Sequence, residues 1–398
     1  MLEKFTDHPT DSLADSFAAR ARALRAEILA QADATERNRQ VSAALMEKIH
    51  AAQLLRMLIP RSLGGGQTDL MSFVEAVEDV ARADASTAWC VGQGNGCAFG
   101  AAFLAPEIAR EVFGAAEAVV ASGPSNATAR ALAVPGGYRV SGQWRYASGS
   151  RNAQWLGAHC NVFETDGSPR VTPPGKVAQM TVLFPKSKAV VTDVWRVMGL
   201  NGTGSDDYAV EDLFVPAEFS YTRDFAGDRR EDGTLYRFSN FNIFGFAFAG
   251  VACGIARTML DEFVALAGRK KPNAAGGVLS ANAAVQQQVG FNEARLQSVR
   301  AYLFHTLEAA WDKVERTGEC SSADRISLRM MSAFVIQSAK EVADFAYHAA
   351  GANAIFEDNP FERRFRDINV VTQQGQAHMS NFEAAGQLYL GHDASFRR

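Results

Sequence analysis

The chain has 398 residues, more than one ordinary domain holds, and its 47% hydrophobic and 21% charged content is typical of a globular protein. Its formal net charge is -4, from 40 basic and 44 acidic residues, which excludes the basic surface that nucleic acids and anionic membranes require. The five cysteines form no CxxC pair and the seven histidines show no metal-ligand spacing, so we expect neither a disulfide framework nor a metal site.

The first part of the chain is predicted to be helical. Apolar residues recur at helical spacing over residues 13–59, until Pro60 and the glycines after it interrupt the pattern. A second helix is expected over residues 70–83, and a third in the glycine-rich stretch after Ser86. We therefore assign residues 1–116 to an N-terminal helical domain.

The sequence pattern changes near residue 117. Short runs rich in β-branched and aromatic residues follow, bounded by Gly-Pro, Pro-Gly-Gly and Pro-Lys turn signals. They lie at residues 119–121, 138–140, 179–184, 189–195 and 208–215. Strands this short and this closely spaced predict a small β-barrel or sandwich, which we assign to residues 117–232.

Helical periodicity returns after about residue 238. Apolar residues from Val285 to Leu307 step by threes, fours and sevens, and Ser321 and Asp324 have the spacing of a capping box before the next run. These patterns predict a C-terminal four-helix bundle over residues 233–398, of a kind that often supplies contacts between subunits. The expected fold class is therefore α+β, with helices, a small β-domain and a helical bundle in that order.

Two uncharged stretches, residues 86–106 and 238–256, are long enough to cross a membrane. Because they contain amide side chains and several glycines, we interpret both as buried helices that wall a flat apolar cavity suited to aromatic substrates. Residues 1–10 contain no apolar run typical of a secretory signal, so a cytoplasmic protein is expected. The candidate substrate-pocket residues in the two stretches are Trp89, Asn95, Phe244 and Phe246.

The usual motifs of nucleotide-binding, metallo- and hydrolytic enzymes are missing from the sequence. No GxGxxG follows a strand, and there is no GxxxxGK[ST], HExxH or GxSxG. A metal-free enzyme with an organic cofactor, or a binding scaffold, remains.

Four local motifs, in order along the chain, resemble the acyl-CoA dehydrogenase fold family. They are IPRSLGGG at residues 59–66, GQWRYASG at 142–149, MGLNGTGS at 198–205, and the block at 351–367 that begins GANA and ends with Arg366-Asp367. The resemblance implies that the second motif lies against a flavin ring. It also implies that the last block closes the flavin site of a neighbouring subunit in a homotetramer.

Two departures from the dehydrogenase pattern are informative. A dehydrogenase of acyl thioesters needs a carboxylate to remove the α-proton, and many members carry it in a Glu-Gly-Thr shortly after the Arg-Asp pair. Here residues 372–378 are TQQGQAH, and the acidic Thr-Glu-Pro loop is replaced by SGPS at 122–125. These changes resemble one branch of the family, the oxygenase components of two-component flavin monooxygenases such as the hydroxyphenylacetate, dibenzothiophene and steroid-phenol oxygenases.

That resemblance implies an enzyme that takes reduced flavin from a separate NAD(P)H:flavin reductase. With O₂ it would form a C4a-hydroperoxyflavin and hydroxylate an aromatic, polycyclic or natural-product substrate. The truncated glycine pattern at residues 351–354 favours reduced FMN, with reduced FAD as the other candidate. Two alternative functions stay open: an acyl-CoA dehydrogenase or oxidase with FAD, and an amino-sugar N-oxygenase on the same fold.

The resemblance also assigns roles to single residues. The Ser148 hydroxyl is expected to face the flavin N5 edge and stabilise the hydroperoxide, and His378 to take a phenol proton or keep the peroxide protonated. His159 and His305 lie among apolar neighbours and are interpreted as structural. The implied cofactor-binding residues are Ser122, Gly123, Tyr146, Ala147, Ser148, Arg269 (on the flavin phosphate), Gly351 and Ala352. Plainer alternatives are an ordinary strand serine for Ser148, a surface histidine for His378, core packing for Tyr146 and a solvated charge cluster for Arg269.

Overall fold

The structure, a computed structural model, describes residues 16–172, 175–222, 229–271 and 277–392. Residues 1–10, whose sequence contains no apolar run, lie outside the described part. The first four of the N-terminal helices begin at side chains that accept backbone N–H groups, namely Ser16, Ser42, Asp69 and Asp84, and the last begins with Pro106. They are α1 (Phe17–Asn38), α2 (Ala43–Ala51), α3 (Leu70–Ala81), α4 (Ala85–Ala98) and α5 (Pro106–Phe113).

The middle of the chain forms one continuous eight-stranded sheet and a separate two-stranded hairpin. The strands are β1 (Val120–Ser122), β2 (Arg130–Val134), β3 (Gly137–Ala147), β4 (Trp155–Phe163), β5 (Val171–Thr172), β6 (Lys176–Val177), β7 (Gln179–Pro185), β8 (Val190–Thr192), β9 (Asp206–Pro216) and β10 (Ser220–Thr222). The sheet order is β10-β7-β4-β2-β3-β9-β8, and β1 pairs in parallel with the first half of β4. The hairpin consists of β5 and β6.

Within residues 229–271 and 277–392, the C-terminal part contains three long helices and two short ones. They are α6 (Asn240–Arg269), α7 (Ala283–Thr317), α8 (Ser322–Ala350), α9 (Pro360–Val371) and α10 (Ser380–Tyr389). The capping box predicted at Ser321 and Asp324 is confirmed at the start of α8. The short α9 packs against α6 and α8, and α10 packs against α8.

The α6 helix is the central element of the fold, because it packs against α3, α4, α8 and α9. It is also the one described helix whose length and composition would allow it to cross a membrane, with a mean hydropathy of 1.7 over its most apolar window. That window is 83% buried inside the protein, which is what a core helix requires.

Close contact between α3 and α6 depends on Gly254. A Cβ atom at this position would lie 2.6 Å from the Glu78 carbonyl oxygen and 2.6 Å from the Ala81 Cβ. Backbone atoms of a packed helix cannot move aside as a flexible side chain can. The glycine therefore sets the distance between the two helices.

We expect Gly254→Ala to lower the free energy of unfolding by about 1–3 kcal/mol, the usual cost of overpacking a core. Gly268→Ala is the matched control, because it lies in the same helix with no atom within 4 Å of the added Cβ. That change should be neutral or stabilising by up to about 1 kcal/mol, since alanine favours helix over glycine. Urea unfolding of both variants would measure the difference, and equal midpoints would contradict the packing argument.

Candidate active site

A large cavity lies between the sheet and the α4 and α6 helices, and residues 370–376 close one side of it. Its volume is about 520 Å³, within the range of small-molecule and cofactor sites. Its wall is formed by Trp89, Gln93, residues 122–125, Tyr146, Ser148, His159, Trp195, Leu200, Thr203, Ser205, Asn240, Phe241, Phe244, Phe248, Val370 and residues 373–376.

Aromatic rings form two sides of the cavity. The Trp89 indole stacks on Phe248 with ring centroids 3.8 Å apart and an interplanar angle of 5°, and Phe244 stacks on Phe248 at 6.2 Å. From the sheet side, Tyr146 meets Trp195 edge to face at 6.3 Å. These rings offer flat apolar surfaces to a planar ligand.

An irregularity at the end of β3 brings its side chains into the cavity. The pairing of β3 with β9 shifts register between Trp144 and Ala147, and Tyr146 has a φ of 60°. A non-glycine residue in this region is strained, and such strain is concentrated at functional sites. As a result both Tyr146 and Ser148 line the cavity, while the Ala147 side chain points into the core with no exposed surface.

A chain of buried hydroxyl groups runs along the same wall. Trp89 Nε1 donates to Ser148 Oγ at 3.0 Å, and Ser148 Oγ lies 2.7 Å from Ser205 Oγ. Ser205 Oγ lies 2.7 Å from Thr203 Oγ1, which donates to the Leu200 carbonyl at 2.9 Å. All three hydroxyl residues are buried, and Ser148 is the most exposed of them at 8%, so bulk solvent competes little for these bonds.

The turn after β1 supplies a second polar edge. Gln93 Nε2 donates to the Ser122 carbonyl at 3.2 Å, and the Ser122 hydroxyl lies 3.3 Å from Cys97 Sγ. The backbone N–H of Gly123 points at the Tyr208 hydroxyl oxygen at 3.4 Å. A Cβ at Gly123 would lie 2.2 Å from the Arg145 carbonyl, so only glycine lets this turn approach β3.

The Leu200 turn is held from behind by a buried carboxyl group. Leu200 has a φ of 54°, and its N–H donates to Asp367 Oδ1 at 2.6 Å. Asp367 Oδ2 is buried with no hydrogen-bond partner. Burial raises the pKa of Asp367 to about 7, although the Leu200 N–H acts in the opposite direction.

Six of the predicted site residues line this cavity: Trp89, Ser122, Gly123, Tyr146, Ser148 and Phe244. Two predicted pocket residues do not. Phe246 is fully buried in the core, and the Asn95 amide is used structurally, accepting from Leu58 N at 3.1 Å and donating to the Leu54 carbonyl at 2.7 Å.

The remaining predicted residues lie elsewhere on this chain. Arg269, Gly351 and Ala352 are exposed and take no part in the cavity wall. His378 is exposed as well, just beyond the short 3₁₀ turn Gly375–Ala377, whose first two residues line the cavity.

Sequence reasoning missed several residues of the cavity wall. His159 was interpreted as structural, yet it lines the cavity, with its Nδ1 2.8 Å from Thr181 Oγ1. Thr203 and Ser205 belong to the MGLNGTGS motif at residues 198–205, but they are not among the candidate site residues predicted from the sequence. The signal that could have found them is the run of small hydroxyl residues inside a glycine turn.

Sequence comparison places the chain in a family. The model for "Acyl-CoA dehydrogenase, N-terminal domain" matches residues 13–108, and that for "Acyl-CoA dehydrogenase, C-terminal domain" matches residues 246–379. Together they cover more than half of the chain. The chain belongs to the acyl-CoA dehydrogenase family.

Among family members, the chain is similar to named oxygenases along most of its length. Indole-3-acetate monooxygenase of Pseudomonas putida is 29% identical over 357 residues, which is 89% of each chain. A pigment production hydroxylase of Rhodococcus erythropolis is 28% identical over 386 residues, 93% of this chain and 95% of that one. The oxygenase component of an FADH(2)-dependent resorcinol hydroxylase of Rhizobium sp. is 26% identical over 372 residues, 89% and 88% of the two chains.

Solved structures of the family have the same fold. The 3-HSA hydroxylase of Rhodococcus sp. RHA1 superposes with a TM-score of 0.88 at 22% identity, over 96% of this chain and 99% of that one. XiaF of Streptomyces sp., solved with FADH2 and glycerol, gives 0.87 at 21% identity over 96% of both chains. FMN-bound TdsC of Paenibacillus sp. A11-2 gives 0.78 at 21% identity, over 95% and 98%. At these identities the likeness establishes the fold.

The buried Asp367 predicts a pH dependence of stability. Because its pKa in the folded protein lies above its ordinary value, its contribution to stability is fully present below about pH 4 and is lost as the pH rises towards 7. The difference between a pKa of about 7 and the ordinary value of an aspartate corresponds to at most about 4 kcal/mol of stability. We expect the melting temperature of Asp367→Asn, minus that of the wild type, to increase between pH 5 and pH 8. A pH-independent difference would contradict the assignment.

Proposed function

We propose that the chain is the oxygenase component of a two-component flavin-dependent monooxygenase. It would use reduced flavin from a separate NAD(P)H:flavin reductase, together with O₂, to hydroxylate an aromatic substrate. Relatives that match most of the chain are named as monooxygenases or hydroxylases of indole-3-acetate and resorcinol, both aromatic compounds. Their names support the proposal, and the chemistry of the cavity wall carries it.

The observation that carries the proposal is the absence of charged side chains from the cavity. Among the described residues that form its wall, none is Asp, Glu, Lys or Arg, and the titratable ones are Tyr146 and His159. An acyl-CoA dehydrogenase needs a carboxylate to remove the substrate α-proton. This wall supplies none, so the dehydrogenase alternative loses its carboxylate base, whereas hydroxylation does not require a carboxylate in the cavity.

The residues present fit a flavin ring. The cavity has flat aromatic sides, and two polar edges formed by Ser148 and by Ser122 with Gly123, which suit the apolar and polar parts of an isoalloxazine. We assign the ring to the sheet side, against Tyr146, and the aromatic substrate to the side of Phe244 and Phe248. When bound, reduced flavin supplies the electrons with which one atom of O₂ enters the substrate and the other leaves as water.

The apolar wall has a chemical role besides shape. Excluding water strengthens the hydrogen bonds of Ser148 and of the Ser122 turn, because they act in a medium of low dielectric constant. It also limits the wasteful release of activated oxygen as hydrogen peroxide. The stacked Trp89 and Phe248 rings keep this side of the cavity dry.

His378 keeps its predicted acid–base role in the proposal. Its Nδ1 accepts the Ser380 backbone N–H at 3.1 Å, so the neutral ring carries its proton on Nε2 and can donate it. The ring is exposed and can exchange protons with solvent, and it follows directly on the turn that lines the cavity. His159, in contrast, is buried and bonded to Thr181, which suits a wall residue.

The assembly, the flavin and the location complete the proposal. Because Arg269, Gly351 and Ala352 are exposed and do not line this chain's own cavity, we assign them to a neighbour's flavin site in a homotetramer. The truncated glycine pattern at residues 351–354 favours reduced FMN over reduced FAD. Related proteins have been described with each flavin. We place the enzyme in the cytoplasm, where reductases supply reduced flavin.

The direct test uses the purified chain without a reductase. We expect it to be nearly colourless, to leave NADH and NADPH unoxidised, and to bind reduced FMN under anaerobic conditions more tightly than oxidised FMN. Adding O₂ and an aromatic substrate such as indole-3-acetate or a phenol should then give hydroxylated product. Rapid NADH oxidation by the pure chain, or turnover of an acyl-CoA with an artificial electron acceptor, would overturn the proposal.

The roles of His378 and His159 can be distinguished by comparing their alanine variants. We expect His378→Ala to lower the rate of product formation by about 10²–10⁴-fold, the usual contribution of a positioned acid or base. Reduced-flavin binding should remain, with oxidised flavin and hydrogen peroxide formed instead of product. His159→Ala, which removes the histidine of the wall, should weaken flavin binding and leave the ratio of product to peroxide nearly unchanged. The opposite pattern would transfer the role to His159.

A further inference from the structure

The buried hydroxyl chain has a direction, which follows from counting protons. A hydroxyl group has one proton to donate, and a carbonyl oxygen can only accept. Thr203 donates its hydroxyl proton to the Leu200 carbonyl. In the 2.7 Å contact between Thr203 and Ser205, Ser205 must therefore be the donor. Ser205 then has no proton left, and the 2.7 Å contact between Ser148 and Ser205 requires Ser148 to donate.

The other neighbour of Ser148 fixes the same direction. Trp89 Nε1 carries a proton and cannot accept, so it donates to Ser148 Oγ at 3.0 Å. Stacking on Phe248 at 3.8 Å holds the indole plane and therefore the direction of its N–H. Ser148 thus donates once and accepts once inside the wall. One lone pair remains for the cavity that this residue lines.

We propose that Thr203 and Ser205 are positioning residues that hold Ser148 as a hydrogen-bond acceptor, so that the site selects reduced flavin over oxidised flavin. The inference rests on the proposed function and assigns the origin of its flavin preference. Thr203 and Ser205 act through Ser148 rather than on the reacting atoms.

The selection follows from the chemistry of flavin N5. In reduced flavin this nitrogen carries a hydrogen and can donate it, whereas in oxidised flavin it has only a lone pair and must accept. An acceptor-only Ser148 therefore gains a hydrogen bond with the reduced form. With the oxidised form, two acceptors would face each other in a dry site, and the unmade bond is costly.

The far end of the chain is anchored, so its direction is not easily reversed. The Leu200 carbonyl also accepts from Trp195 Nε1 at 2.9 Å, and the Leu200 N–H is held by Asp367 at 2.6 Å. Reversing the chain would require Thr203 to turn its proton away from this fixed carbonyl. The Ser148 proton becomes available to the cavity only when the hydroxyl group of Ser205 or Thr203 is removed.

The experiment measures the ratio of dissociation constants for oxidised and reduced FMN. Oxidised FMN is titrated in air by its fluorescence, and dithionite-reduced FMN is titrated anaerobically by ultrafiltration. Ser205→Ala frees the Ser148 proton to reach oxidised flavin, so the preference for reduced FMN should fall about tenfold, the worth of one hydrogen bond. Ser205→Cys, which keeps the volume with a weak acceptor, should act in the same direction and serves if the alanine variant does not fold.

Matched variants separate the hydrogen-bond direction from packing. Thr203→Val keeps the shape and removes the hydroxyl, so the ratio should fall, while Thr203→Ser keeps the hydroxyl and should restore it. Ser150→Ala is the structural control, because this buried hydroxyl donates to the Gly204 carbonyl at 3.1 Å in the same turn but outside the chain. It should leave the ratio unchanged.

The outcomes distinguish the inference from the proposed function. If the wild type binds reduced FMN more tightly and folded Ser205 and Thr203 variants keep its ratio, the inference is wrong while the function stands. An equal loss of ratio in Ser150→Ala would also overturn it, because the effect would then come from packing. A wild type that prefers oxidised FMN would overturn the proposed function itself.

Discussion

The antiparallel pairing of β3 with β9 is the constraint on which the polar side of the cavity depends. The register shift between Trp144 and Ala147 turns Tyr146 and Ser148 towards the cavity, and β9 begins just after the turn that carries Thr203 and Ser205. Ladder hydrogen bonds fix the relative height of the two strands. The contacts between Ser148 and Ser205 therefore follow from backbone pairing rather than from side-chain adjustment.

The opposite side of the cavity depends on how closely helices approach one another. Gly254 brings α6 against α3, and the same helix carries Phe244 and Phe248 at the cavity wall. These two residues are four positions apart and so lie on one face of the helix. The stack of Trp89 on Phe248 then connects α4 to α6 along this side of the cavity. A rigid apolar wall thus faces a rigid polar one.

The order of elements and the polar motif could be predicted from sequence, because each depends on local signals. Turn residues, periodicity and the capping box at Ser321 identify the helical and strand segments, and the motif around Ser148 identifies the cavity wall.

Which side of a helix or strand faces the cavity could not be predicted from the sequence in the same way. Phe246 lies two residues from Phe244, which turns it about 200° around the helix into the core. Asn95 binds backbone groups of Leu54 and Leu58, a tertiary fact that no local pattern contains. Likewise, β4 is a mixed run of small, polar and apolar residues, so His159 could not be placed from sequence.

A cavity whose described wall residues are all uncharged can discriminate between ligands by hydrogen-bond direction. An ionised carboxylate only accepts hydrogen bonds and an ammonium group only donates them. A serine hydroxyl can do either, and its hydrogen-bond partners determine which. In this wall the Leu200 carbonyl, three hydrogen bonds away from Ser148, fixes the direction in which Thr203 donates. That direction in turn fixes how Ser205 and then Ser148 donate. Such residues resemble ordinary turn formers in a sequence, because glycine turns commonly contain Ser and Thr. Their contribution becomes visible only when the protons of the buried chain are counted, which requires the three-dimensional arrangement.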